Sequence, residues 1–166
     1  MTIAIREATE ADLPATLAIY NEEVRTGTAT FDLEPRTLAQ QRVWLKEHAP
    51  PYCAIVAVDG AGEVVGWGSL SVYRTKGAYR LSVEDTIYVR ADRQRQGIGR
   101  ALLAELMRRA REAGFHTVLG VITAENDVSI RLHEAFGFEV IGRAREVGYK
   151  FDRWLDVVTM QRMLAD

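Results

Sequence analysis

Apolar residues recur in two rhythms along the chain, and the change of rhythm marks the elements. Residues 3–8 alternate apolar and polar, the period of a half-buried strand. Thr9 with Asp12 then resembles a capping box, with Asp in place of Glu. The spacing of Leu13, Leu17, Ile19, Tyr20 and Val24 predicts a helix. Residues 26–35 are Thr-rich and predict a loop in which Phe31 stands out. Thr37 is placed to cap a second helix ending near Lys46, ahead of His48-Ala49-Pro50-Pro51. Residues 52–58 and 63–73 read as strands, joined by the hairpin signal Asp59-Gly60-Ala61-Gly62.

Residues 74–78 predict a second turn and residues 79–89 the next strand. Ile98, Leu102, Leu103, Leu106, Met107 and Ala110 make a helical stripe that stops at Gly114. Residues 118–123 read as a buried strand, and residues 126–136 as a helix ended by Gly137. A short strand over 138–142 and a longer one over 154–164 complete the chain. The order β-α-α-β-β-β-α-β-α-β-β puts hairpins first and crossover helices later. It predicts an α/β (α+β layered) fold: a mixed sheet with helices on both faces. No repeat, low-complexity tract or linker interrupts residues 1–166, which predicts a single domain.

Composition narrows the function classes. Hydrophobic content of 48% and charged content of 27% over 166 residues suit a soluble globular protein. With 21 basic and 23 acidic residues the net charge is -2, so no global field favours nucleic acid or an anionic membrane. Cys53 is alone, which excludes an internal disulfide, and its apolar surroundings predict a buried hydrophobe. No apolar run approaches the roughly 20 residues of a membrane span, and the N-terminus lacks signal-peptide character, so the expected compartment is the cytoplasm. His48 and His116 read as surface residues, and the three histidines share no metal-ligand spacing, so no metal is expected. Trp44, Trp67 and Trp154 are expected to pack in the sheet or an interface.

The chemistry concentrates after the strand Val83-Glu84-Asp85-Thr86-Ile87-Tyr88-Val89. There Gln94-Arg95-Gln96-Gly97-Ile98-Gly99-Arg100 forms a basic, glycine-containing turn that opens a helix. Unpaired N–H groups and the helix dipole favour an anion at such a place, and glycine leaves no side chain between backbone and ligand. Arg95 and Arg100 add positive charge. The turn predicts a seat for a pyrophosphate-bearing cofactor. A dinucleotide fingerprint is excluded because no third glycine follows and no early βαβ unit exists. A P-loop is excluded because the Gly-Lys-Ser/Thr ending is missing.

Gln94-x-x-Gly97-x-Gly99 resembles the acetyl-CoA motif of the Gcn5-related N-acetyltransferase (GNAT) superfamily. Asn126 after the next strand and Ser129-Ile130-Arg131-Leu132-His133-Glu134-Ala135-Phe136-Gly137-Phe138 extend the resemblance. Thr28-Ala29-Thr30-Phe31, Val83-Glu84-x-Thr86-Ile87-Tyr88-Val89 and Val147-Gly148-x-Lys150-Phe151-x-x-Trp154-x-Asp156 are similar to the phosphinothricin and methionine sulfoximine/sulfone acetyltransferases in particular. Thr86 stands where Ser is expected, and Asp85 where a basic or polar residue is expected.

The resemblance implies a mostly antiparallel, splayed sheet and acetyl-CoA as co-substrate. It implies that Ile87, Tyr88 and Val89 pair with the pantetheine arm and that Arg95, Gln96, Gly97, Ile98, Gly99 and Arg100 hold the pyrophosphate, with Asn126 and Ser129 near the cofactor. Glu84 is the candidate proton acceptor for the amine, against a plain surface carboxylate or ion pair. Asp85 should point to the opposite face of the strand, so the two are not expected to work as a pair. His133 is the candidate proton donor to the sulfur, against a packed helix histidine, and Ser129 one turn earlier could position it. By the same resemblance Tyr73, Arg74, Thr75, Glu84, Asp85 and Thr86 line the acceptor site, Phe31 and Tyr79 supply apolar walls, and Lys150, Phe151 and Trp154 belong to a homodimer-related region. The expected reaction is acetylation of a small amino-acid-like amine. A protein or peptide acetyltransferase and a non-catalytic acetyl-CoA sensor are the alternatives.

Overall fold

Hairpins build one half of the sheet. The computed structural model describes residues 2–165. β1 (Ile3–Glu7), β2 (Cys53–Asp59), β3 (Val64–Val72) and β4 (Ser82–Val89) pair antiparallel in that order. β5 (Thr117–Thr123) joins β4 in parallel, and β6 (Glu139–Lys150) and β7 (Arg153–Met163) finish a seven-stranded sheet in the order β1-β2-β3-β4-β5-β7-β6. The β4–β5 pairing spans only three residue pairs, Ser82–Thr117, Val83–Val118 and Glu84–Leu119. Beyond Glu84 the two strands part, while β4 stays paired to β3 as far as Val89. The sheet is therefore mixed, mostly antiparallel and splayed.

Four helices cover its two faces. α1 (Leu13–Thr26) and α2 (Leu38–Glu47) lie on one side, where Ile19, Tyr20 and Val24 pack with Trp67, and Trp44 adds its ring. α3 (Ile98–Glu112) lies on the other, and α4 (Asp127–Ala135) follows β5. The α3 stripe of Ile98, Leu102, Leu103 and Leu106 is fully buried. Gly66 and Gly68 of β3 let that helix approach, since a Cβ there would sit 3.1 Å from Ile98 Cγ2 and Leu106 Cδ1 respectively. Thr37 and Gln40 form a capping box at α2, with Thr37 N–H donating to Gln40 Oε1 at 2.9 Å. Thr9 N–H donates to Asp12 Oδ2 at 2.8 Å, and this box opens a 3-10 turn that runs into α1.

Several expected boundaries move. Residues 77–79 form a 3-10 turn, with Tyr79 N–H bonded to Lys76 O, so β4 begins at Ser82 rather than Tyr79. β6 runs twelve residues, to Lys150, rather than ending near Gly142. It is an edge strand with most positions exposed, so no apolar alternation marks it. Its turn places Phe151 and Asp152 at φ 53° and 57°, a hairpin without the glycine that would announce it. His48 is buried rather than on the surface: its ring lies 4.7 Å from Trp44, and Nδ1 is 2.6 Å from Trp44 O. Trp67 is buried, whereas Trp154 is 60% exposed beside Tyr149. No helix among the described residues is long and apolar enough to cross a membrane.

Candidate active site

The parting of β4 from β5 opens a groove of about 740 Å³. Ile87, Tyr88 and Val89 line it from β4, a strand edge with no neighbour on that side past Glu84. Gln94, Arg95, Gly97, Ile98, Gly99 and Arg100 line it from the turn and the first turn of α3. Asn126, Val128, Ser129 and Leu132 close it from α4. Gly97 caps α3 at φ 81°, with open space where a Cβ would stand, and Arg95 is also left-handed at φ 60°. No side chain caps the N–H groups of this fifteen-residue helix. Their orphan donors, the dipole and two arginines fit a pyrophosphate. Gln96 falls outside the lining.

A smaller cavity of about 270 Å³ adjoins the groove. Ala29, Ile87, Tyr88, Asn126 and Ser129 border both, so a molecule in the groove can reach into the cavity. Of the candidate residues, Phe31, Glu84, Asp85, Thr86 and His133 line it. Tyr73, Arg74, Thr75 and Tyr79 do not. The chain leaves the sheet after Val72 and enters the 3-10 turn, where Tyr73 and Tyr79 stack edge-on at 5.8 Å and Arg74 covers Tyr73 at 5.0 Å. Arg74 still reaches the site through its field, which opposes protonation of Glu84.

Glu84 and Asp85 alternate across β4 and meet different neighbours. Burial, and then the charge of Asp85, push the Glu84 carboxyl up to about 7. A carboxylate so placed can hold or release a proton near neutral pH. Asp85 is buried and accepts from His133, with Nε2 to Oδ2 at 2.8 Å. His133 Nδ1 lies 2.7 Å from Ser129 O and 3.4 Å from Ser129 Oγ. Burial alone would lower the imidazole, but the hydrogen bond and charge of Asp85 and the Ser129 carbonyl outweigh it and raise it. Asp85 Oδ1 is buried without a partner. Asn126 Oδ1 caps α4 by accepting from Ser129 N–H at 3.2 Å.

The residue 27–36 loop forms one cavity wall and is fastened on several sides. Lys150 is buried, and its Nζ donates to Thr30 O at 3.0 Å. Thr123 Oγ1 donates to Thr28 O at 2.5 Å, and Tyr20 OH lies 2.8 Å from Thr30 Oγ1. The Phe31 ring lies on Gly148 so closely that a Cβ there would fall 2.3 Å from Cε2. Sequence reasoning missed Gly120, Thr123 and Val157 in the cavity lining. Gly120, inside an apolar strand, carried a signal: such a glycine marks close approach of another group. A Cβ at Gly120 would lie 3.2 Å from both Asp85 Oδ1 and His133 Cδ2. Among the described residues no group of His, Cys, Asp and Glu side chains could hold a metal ion.

Comparison with known proteins agrees with this geometry. Residues 16–138 match the Acetyltransferase (GNAT) family. The L-methionine sulfoximine/L-methionine sulfone acetyltransferase of Pseudomonas aeruginosa PAO1 is 43% identical over 162 residues, covering 97% of this chain and 94% of its own. The crystal structure of a GNAT superfamily phosphinothricin acetyltransferase from Sinorhizobium meliloti, in complex with AcCoA, superimposes with a TM-score of 0.96 at 39% identity, covering 99% of this chain and 90% of its own. That of a ribosomal-protein-alanine N-acetyltransferase from Brucella melitensis gives 0.93 at 42% identity, over 96% and 99%.

Proposed function

Because the chain belongs to the GNAT acetyltransferase family, it is an N-acetyltransferase, and we propose that its acceptor is the amine of a small amino-acid-like molecule of the methionine sulfoximine, methionine sulfone or phosphinothricin type. The observation that carries this is the cavity of about 270 Å³ at the end of the groove, with Glu84 in its wall and the Phe31 loop fastened over it. It suits an amino acid better than a folded polypeptide.

Acetyl-CoA, when bound, supplies the acetyl thioester. The open edge of β4 at Ile87, Tyr88 and Val89 would hold its arm as an added strand, and the N–H groups from Arg95 to Arg100 its phosphates. Glu84 takes the proton of the attacking amine. A value of about 7 leaves it largely ionised in mildly alkaline solution, ready to accept. The working form proposed is a homodimer in the cytoplasm, built from the whole chain as one domain. Tyr149, Phe151 and Trp154 are exposed together on the β6–β7 hairpin and would supply an apolar interface.

The test is acetyl-CoA consumption with methionine sulfoximine, methionine sulfone, phosphinothricin, ordinary amino acids and a short peptide beginning with alanine. The sulfoximine, the sulfone or phosphinothricin should be turned over fastest. The Brucella relative favours a second reading, acetylation of a protein N-terminus. Exclusive turnover of the peptide would establish that reading in place of the first.

A further inference from the structure

His133 is 3% exposed, and both its ring nitrogens are engaged by oxygen. A main-chain carbonyl at Nδ1 can only accept. With an ionised Asp85 at Nε2, the ring carries a hydrogen on each nitrogen. Asp85, from β4, is the charged group against the ring. β5 presents Gly120 to it, and the chain after α4 presents the Phe138 ring at 4.9 Å. The Nδ1 hydrogen lies between the Ser129 carbonyl at 2.7 Å and the Ser129 hydroxyl at 3.4 Å, so it faces Ser129 rather than a departing sulfur.

Ser129 does have a group to offer. It stands where groove and cavity meet, bordering both. Its Oγ is 3.4 Å from His133 Nδ1. With Nδ1 as the donor, the hydroxyl oxygen accepts there and its own hydrogen is free to point elsewhere. Gly120 leaves room for the Asp85–His133 contact behind it.

We propose that Ser129 Oγ–H is the proton donor to the leaving thiolate, with Asp85 and His133 as positioning residues that hold it in that role. The inference rests on the acetyltransferase reading above. The new C–N bond forms as the C–S bond breaks, and the amine proton passes to the Glu84 carboxylate. The sulfur takes the Ser129 hydroxyl hydrogen, and His133 Nδ1–H replaces it. His133 is left neutral with Nε2–H on Asp85. After the products leave, it regains a proton from solvent while Glu84 loses one.

Two measurements test this. In ligand-free protein labelled with 15N-histidine, NMR at pH 7 should show His133 with both ring nitrogens protonated in the wild type and in Ser129→Ala, and with one protonated in Asp85→Asn. In steady state, Ser129→Ala should lower kcat by at least about tenfold. It should leave KM for both substrates within about twofold, and Ser129→Thr should restore most of the loss. A neutral His133 in the wild type at pH 7 overturns the proposal, as does a Ser129→Ala kcat within about twofold of wild type. Ser129→Thr no better than Ser129→Ala overturns it too. These results leave acetyl transfer itself standing, whereas a wild-type protein that acetylates no amine overturns the functional reading and the proposal with it.

Discussion

His133 Nε2 lies 2.8 Å from Asp85 Oδ2, joining the middle of β4 to α4 across 48 positions of sequence. Both side chains are almost wholly buried, and both line the cavity together with Glu84. The charge of Asp85 raises both His133 and Glu84.

Asp85→Asn therefore moves both limbs of the pH–rate profile. Without that charge Glu84 ionises at lower pH, so the acidic limb moves down. His133 loses its proton at lower pH, so the alkaline limb moves down as well. The measurement is kcat from pH 5 to 10. Stability carries the same sign. Because His133 is raised in the folded state, its contribution is complete below the unfolded value of about 6.5 and fades as pH rises through the folded one. The deficit of Asp85→Asn in thermal melting should accordingly be larger at pH 6 than at pH 9.

Glu84→Gln should lower turnover by about tenfold or more while acetyl-CoA affinity holds, as read by calorimetry and steady-state rates. Its effect on folding runs the other way. Raised to about 7, the wild-type carboxyl takes up protons on folding, and stability falls as pH rises from about 4.5 to 7. The glutamine variant escapes that loss. It should be more stable than wild type by about 2–3 kcal/mol at pH 8 and nearly equal to it at pH 4.5, in paired urea titrations.

Gly120→Ala places a Cβ 3.2 Å from Asp85 Oδ1 and His133 Cδ2, neither of which can swing away from its partner. We expect about 1–3 kcal/mol of destabilisation. The His133 ring resonances should shift in the same variant, which identifies the crowded pair as the cause.

At Gly97 space is open, but the backbone is left-handed at φ 81°. Gly97→Ala should cost about 1–2 kcal/mol of stability and weaken acetyl-CoA binding, with the acceptor KM unchanged. Calorimetric titration with CoA measures the cofactor term directly.

Gly148→Ala drives a Cβ into the Phe31 ring, and Lys150→Met removes the donor to Thr30 O. Both variants loosen the loop that walls the cavity. Each should raise the acceptor KM severalfold while acetyl-CoA affinity stays near wild type; an unchanged acceptor KM in both would mean the wall plays no part in recognition.

Local pattern carried most of the architecture. The α3 stripe and the Thr37 cap are written in consecutive residues, because helix period and side-chain capping are short-range physics. The glycine turn is equally local: Gly97 stands where the chain turns left-handed into α3, a conformation glycine adopts without steric cost. The start of β6 was legible but its extension past Gly142 was not, because an exposed edge strand has no buried face to impose alternation, and its turn uses Phe151-Asp152 instead of glycine. Tyr73, Arg74 and Thr75 precede β4 in sequence, yet the 3-10 turn at Gly77–Tyr79 carries them away from the cavity lining.

The sequence by itself determined the sheet-and-helix order and the glycine turn that opens α3. Tertiary structure alone decided what the side chains of the site meet. Asp85 faces His133 because β4 alternates and α4 crosses over β5 at Gly120, and Lys150 reaches Thr30 across 120 positions. Such contacts depend on how layers pack, and no window of consecutive residues encodes them.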